Sequence, residues 1–233
     1  MRRGTVKVIS GFTLIEMLVA IAIMAVMAGL SWRGLDAMAT SKTHNDAYRQ
    51  QVLALQAGLA QWGADWDAMM QPSLQTPLEA TATSLRFVRQ APAQGPVDAG
   101  LVVVAYAQQP TDSQASTSTW VRWQSQPVTQ HAGLANAWKQ STTWLESMSQ
   151  APTPHDDSPD RDGGKSVTLA TINNWKTQFF VNNQWQDTPP PTSFVSAIAP
   201  FDAVRLHLEL THGQALTGLI TRDWIVPSAG GTR

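Results

Sequence analysis

Between Val8 and Trp32 the sequence contains a single charged residue, Glu16, set inside the run GFTLIEMLVAIAIMAVMAGL. Placing an acidic side chain at the centre of a bilayer-spanning helix costs about 2.5–3.5 kcal/mol on insertion scales. A carboxylate in that position demands a partner, so the chemistry it points to is association. The five histidines, His44, His131, His155, His207 and His212, show no metal-ligand spacing. No Gly-x-Ser-x-Gly elbow, phosphate-binding glycine loop or His-Glu-x-x-His occurs. Asp65 and Asp67 could in principle work as paired carboxylates, but they fall on the polar side of a helical stripe, which predicts solvent exposure. The expectation is a protein that is not an enzyme.

Two further groups invite a binding reading. Asp156, Asp157, Asp160 and Asp162 precede Gly163, and Ser158, Asp160, Asp162 and Gly163 follow the first half of a calcium-binding EF-hand loop. Leu169 stands where the bidentate glutamate is required, so no metal site and no cofactor are expected. Trp120, Trp123, Trp175, Trp185 and Trp224 could form a sugar or peptide platform, but their strand-like neighbours favour a core role for most of them. Cysteine is absent, which removes disulfides, thiolate metal sites and a cysteine nucleophile together. A formal net charge of −1 supplies no long-range attraction for nucleic acid.

The elements that must hold Glu16 begin with a membrane-length apolar run over residues 12–31, close to the roughly 20 residues that cross hydrocarbon. Arg2, Arg3 and Lys7 precede it, so the positive-inside rule predicts a cytoplasmic N-terminus and an exported remainder. An ordinary signal peptide cut between Ala28 and Gly29 also fits the run, but it leaves Glu16 unexplained. No proline interrupts the chain before Pro72, so the helix is expected to continue over residues 32–71. Val52, Leu55, Leu59, Trp62, Trp66 and Met69 recur at spacings of three and four, giving this second half one apolar face.

From residue 72 to 233 the pattern becomes that of a β-rich head. Residues 84–88, 101–106, 119–123, 166–172 and 177–185 read as short strands, the last with a turn at Asn182-Asn183. Val204, Leu206, Leu208 and Leu210 alternate with polar residues and lead through His212-Gly213-Gln214 into a second run over 216–226, a half-buried hairpin. Residues 108–118 read as a flexible loop, 133–148 as a short helix with Trp138, Trp144 and Leu145, and 151–165 as a polar surface loop. The 233 residues, 43% of them hydrophobic, suffice for one exported domain.

Gly11-Phe12-Thr13-Leu14-Ile15-Glu16, with its basic leader and apolar continuation, resembles the cleavage and methylation signature of type IV prepilins and of the pseudopilins of type II secretion. The resemblance implies a leader over residues 1–11, cleavage after Gly11 by a prepilin peptidase, and methylation of the new amine of Phe12. Glu16 would then pair with the amine of a neighbouring subunit and drive assembly. Trp32-Arg33-Gly34-Leu35-Asp36, the helix end at 55–71, Asn183-Gln184-Trp185 and the ending from Ala203 to Leu210 are similar to the J-type minor pseudopilins, the GspJ family. That likeness implies an α+β pilin-like fold, a long N-terminal helix packed on an antiparallel sheet. It also implies the I-type and K-type minor pseudopilins, the major pseudopilin, the peptidase and the inner membrane as partners. A minor type IV pilin and a soluble periplasmic binding module are the competing readings.

Overall fold

The computed structural model describes residues 12–70, 78–92, 100–112, 116–151, 163–190 and 201–227. The leader with Gly11 and the acidic segment with His155, Asp156, Asp157, Ser158, Asp160 and Asp162 lie outside the described residues. The chain divides into two compact units, Met1–Tyr48 and Arg49–Arg233.

A first helix, α1 (Leu14–Asp67), runs through 54 residues free of proline. In the first unit every described residue of the helix is exposed. An 18-residue window there has a mean hydropathy of 2.3, long and apolar enough to cross a membrane. In the second unit the helix changes character at the stripe: Leu55, Trp62 and Trp66 are buried, and Leu59 and Met69 pack against the same core. The helix closes at Asp67, and Met69 already bridges to Arg89 in an antiparallel pair.

The sheet consists of β1 (Leu78–Ala80), β2 (Ser84–Gln90), β3 (Leu101–Pro110), β4 (Ser118–Ser125), β5 (Gly164–Val181), β6 (Gln184–Gln186), β7 (Ala203–Leu210) and β8 (Gly218–Ile225). Its order is β1-β2-β3-β4-β5-β7-β8, with β6 attached to β5 and every pair antiparallel. The expected architecture, a long N-terminal helix followed by an antiparallel sheet, is present.

Two expectations for the strands change. Residues 166–172 and 177–185 form one 18-residue strand, β5, which continues through a register shift between Ile172 and Asn174. Its first half pairs with β4 and its second half with β7, so the polar residues between them lie within one strand serving two neighbours. The turn at Asn182-Asn183 is present: both residues have positive φ, 50° and 64°, as a two-residue hairpin connection into β6 requires. Gln108, Gln109 and Pro110 belong to β3, opposite Trp120, Thr119 and Ser118, although composition predicted a loop. Ladder bonds use the backbone, and the Gln108 amide adds a bond to Ser118 Oγ at 3.0 Å.

A second helix, α2 (His131–Met148), covers the face of β2, β3 and β4 opposite α1. Leu134, Ala137, Trp144 and Met148 meet Val88, Val103, Ala105, Val121 and Trp123 there. Arg86 of β2 pins this layer: it pairs with Glu79, donates to Ser141 Oγ at 3.0 Å and Thr142 Oγ1 at 2.6 Å, and lies 4.3 Å from the Trp138 ring centre. The central strands are thus buried on both faces, and their continuous apolar runs reflect it.

Two glycines report on the tightness of these layers. A β-carbon at Gly164 would lie 2.3 Å from Trp123, whereas one at Gly63 meets nothing within 4 Å. Gly164→Ala is expected to lower the unfolding free energy by about 1–3 kcal/mol through overpacking. Gly63→Ala is expected to raise it by about 0.5–1 kcal/mol through helix propensity. Denaturant titration of the full chain in detergent, followed by tryptophan fluorescence, checks both signs.

Candidate functional site

The start of α1 is organised by its own sequence. Thr13 immediately precedes the first helical residue, and Glu16 stands at the third helical position, the arrangement of a capping box. The Glu16 carboxylate accepts from the Thr13 N–H at 3.0 Å and from Thr13 Oγ1–H at 2.9 Å. In return the Glu16 N–H donates to Thr13 Oγ1 at 3.3 Å. Two backbone donors that every helix start leaves open are satisfied in this way. Among the described residues Glu16 forms no ion pair. Phe12 projects beside it with 81% of its surface exposed, followed by Leu14 at 81% and Ile15 at 69%. The first unit therefore presents a capped carboxylate inside an uncovered apolar surface.

A model of the prokaryotic N-terminal methylation motif matches residues 7–32, the stretch that holds Phe12, Thr13 and Glu16. The chain carries a prokaryotic N-terminal methylation motif. A search of curated proteins finds no match. Among solved structures, the GspK-GspI-GspJ complex of the type 2 secretion system from enterotoxigenic Escherichia coli is similar at 16% identity. The alignment covers 75% of this chain and 96% of that one, with a TM-score of 0.46.

Outside the methylation motif, the chemistry-bearing residues group differently from expectation. Asp65, expected in solvent, is completely buried. Its Oδ2 accepts from Tyr106 Oη at 2.7 Å and from Arg122 Nε at 2.7 Å. Its Oδ1 accepts from Arg122 Nη2 at 3.0 Å and from Gln61 at 2.7 Å, and lies 3.1 Å from Arg89 Nε. Both guanidiniums also donate to Gln124 Oε1 at 2.8 Å. The helical stripe on a sheet is wider than the apolar residues alone suggest. Asp65 lies roughly 20° around the helix axis from Gly58, at the geometry of 3.6 residues per turn, and Gly58 is itself buried.

Asp67 remains exposed and accepts from Trp224 Nε1 at 2.7 Å, so the two carboxylates have separate partners and form no acid–base pair. Trp120, Trp123 and Trp175 are buried core residues, as expected, whereas Trp185 and Trp224 are half-buried. Trp185 lies 4.1 Å from the Arg205 guanidinium, and Trp224 stacks on Trp66. His207 sits on the polar face of β7 between Gln178 Oε1 at 3.0 Å and Thr221 Oγ1 at 3.3 Å. Partial burial lowers its pKa, and Arg205 and Lys176 add to that shift. Among the described residues no group of three or more histidine, cysteine, aspartate or glutamate side chains could hold a metal. Arg89 and Arg122 were detectable as charges within strand-like runs that have no visible counter-charge, whereas Tyr106 gives no such signal.

Burial, and then the Asp65 charge, push the Tyr106 hydroxyl well above its ordinary value. The folded state therefore holds a proton that the unfolded chain releases near pH 10. This stability is fully present below that pH and is lost as pH rises through it toward the higher folded value. Tyr106→Phe is expected to cost about 1.5–3 kcal/mol at neutral pH, the loss of a hydrogen bond to a charged acceptor. The variant should also show a shallower fall in unfolding free energy above about pH 10 than the parent. Denaturant titrations at neutral and alkaline pH measure both effects.

Proposed function

We propose that this chain is a minor pseudopilin that assembles with other minor pseudopilins at the tip of a periplasmic pseudopilus and helps to initiate it for type II protein secretion. The observation that carries the proposal is Glu16, a single carboxylate inside an apolar helix and inside the methylation motif of residues 7–32. On this reading residues 1–11 are a leader removed on the cytoplasmic side, 12–31 span the inner membrane, 32–71 extend the helix into the periplasm, and 72–233 form the head. Arg2, Arg3 and Lys7 support the cytoplasmic N-terminus. Cleavage after Gly11 frees an amine at Phe12, which is then methylated. Glu16 of one subunit pairs with that cation on a neighbour. The activity is association rather than catalysis.

The physical case rests on what the isolated chain leaves open. The capping box satisfies hydrogen-bond donors but supplies no positive charge to Glu16. In hydrocarbon an amine from a neighbouring span offers both the charge and the donor, and the exposed apolar residues around Glu16 supply the packing surface. Assignment to the J-type, with the I-type and K-type subunits as partners, rests on the likeness of residues 32–36, 55–71, 183–185 and 203–210 to that family.

The intact mass and first residue of the protein recovered from membranes, with and without the prepilin peptidase, test the reading. A chain starting at N-methylated Phe12 only when the peptidase is present is the expected result. A start at Gly29, or an unprocessed chain in both strains, sinks the proposal. Glu16→Gln keeps the side-chain length but not the charge. It should be processed normally yet enter the assembled complex at least about tenfold less, the scale of a lost charge partner in hydrocarbon. Co-purification with the partner subunits reads this out. Deletion separates the pilus reading: loss of exported enzymes, with fibres intact, is expected.

A further inference from the structure

Asp65 and its partners take no part in processing or in contacts of the apolar span, yet they place a carboxylate and two guanidiniums in the centre of the second unit. The side chains of Asp65, Arg89 and Arg122 are 0%, 7% and 9% exposed. Such a cluster is a poor source of net stability, because desolvation of the ions offsets much of their attraction. Its composition addresses a different problem. The apolar stripe that docks on the sheet contains two pairs of like residues four apart, Leu55 with Leu59 and Trp62 with Trp66. A shift of the helix by one turn, about 6 Å at 1.5 Å per residue, would seat Leu55 in the place of Leu59 and Trp62 in that of Trp66, so two of the large apolar seats would keep their residue type.

Gly58 and Asp65 are buried positions of the helix with no like residue one turn away in either direction. Gly58 allows close approach to β5, where a β-carbon would lie 3.2 Å from Leu169 Cβ. The neighbours of Asp65 one turn away are Gln61 and Met69. A one-turn shift would put an amide or a thioether against Arg89 and Arg122 and leave two buried cations without a counter-charge. The carboxylate meets Arg89 of β2, Tyr106 of β3 and Arg122 of β4, so it reads position both along and across the sheet. We propose that the Asp65 cluster is a register lock: it selects the one turn of the Arg49–Asp67 portion of α1 that sits over β2, β3 and β4, and contributes conformational specificity rather than net stability.

The absence of native cysteine makes cross-linking a clean test in the full chain in detergent. The pair Gly58→Cys with Leu169→Cys reports the native register, since a β-carbon at position 58 would lie 3.2 Å from that of Leu169, a few tenths of an ångström inside the disulfide range of about 3.5–4.5 Å. Ala54→Cys with Leu169→Cys reports a one-turn shift. Each pair is built into the parent, into Asp65→Asn, and into the apolar replacement Asp65→Leu, Arg89→Met, Tyr106→Phe, Arg122→Met. Yields are normalised to the folded fraction from circular dichroism. The ratio of native to shifted cross-link is expected to fall at least about threefold in both variants, as a register equilibrium released from its charge penalty. The apolar replacement should also keep a thermal midpoint near the parental one. An unchanged ratio per folded molecule in either variant overturns the proposal. So does failure of both variants to fold, which would make the cluster a stability element instead.

Discussion

A carboxylate set among apolar residues needs partners, and this chain places two of them on one helix. Asp65 finds its partners inside the fold: Arg89, Arg122, Tyr106 and Gln61 surround both oxygens. Among the described residues Glu16 finds only Thr13. The same constraint thus has a closed solution in the second unit and an open one in the first. The strand types follow from the closed solution. Arg89 and Arg122 lie on the α1 side of β2 and β4, and Tyr106, on the β3 strand that separates them, is opposite Arg122. On the assembly reading, the open solution is completed by another chain.

The core around Asp65 is dominated by aromatic area. Trp66 stacks on Phe87 at 4.3 Å and on Trp224 at 5.6 Å, and meets Phe201 edge-on at 5.8 Å. Trp62, Trp66, Trp120 and Trp175 bury indole N–H groups that find no acceptor among the described residues. Each orphaned donor costs about 1–3 kcal/mol. Burying a ring of 150–250 Å² returns roughly 4–6 kcal/mol at about 25 cal/mol/Å². The area wins at every one of these positions, which explains how a seam of tryptophans tolerates unsatisfied donors. It also explains why the polar pairing is concentrated at one point: Asp65 is the only member of the α1 seam that hydrocarbon area cannot compensate.

The sequence made most of the fold legible where periodicity and burial coincide. The stripe from Leu55 to Met69 and the alternation from Val204 to Leu210 each describe one buried face, and both are where they were expected. The capping box of Thr13 and Glu16 was not anticipated, although a threonine followed three residues later by an acid ahead of an apolar run carries that signal. Legibility failed where one strand serves two neighbours. Between Ile172 and Thr177 three of the four residues, Asn173, Asn174 and Lys176, are polar, and only the separate pairing of β5 with β4 and β7 makes the stretch one element.

Asp65 was missed for a more instructive reason. A polar residue beside an apolar stripe is normally solvated, and helix periodicity alone gives no ground to think otherwise. The missing information was nonlocal. Arg89 and Arg122 lie 24 and 57 residues further along the chain, each unmatched within its own strand, and only the sheet order brings them to a common face. An arginine in a strand buried on both faces has a short choice of outcomes: it reaches the edge, stacks on an aromatic ring, or meets an acid. Arg86 meets both Trp138 and Glu79. Arg89 and Arg122 meet the same acid, and an acid that must serve two strands has to come from an element crossing both. The helix that carries the apolar stripe is that element, and beside Gly58 the position of Asp65 on it is fixed by the need to reach the sheet.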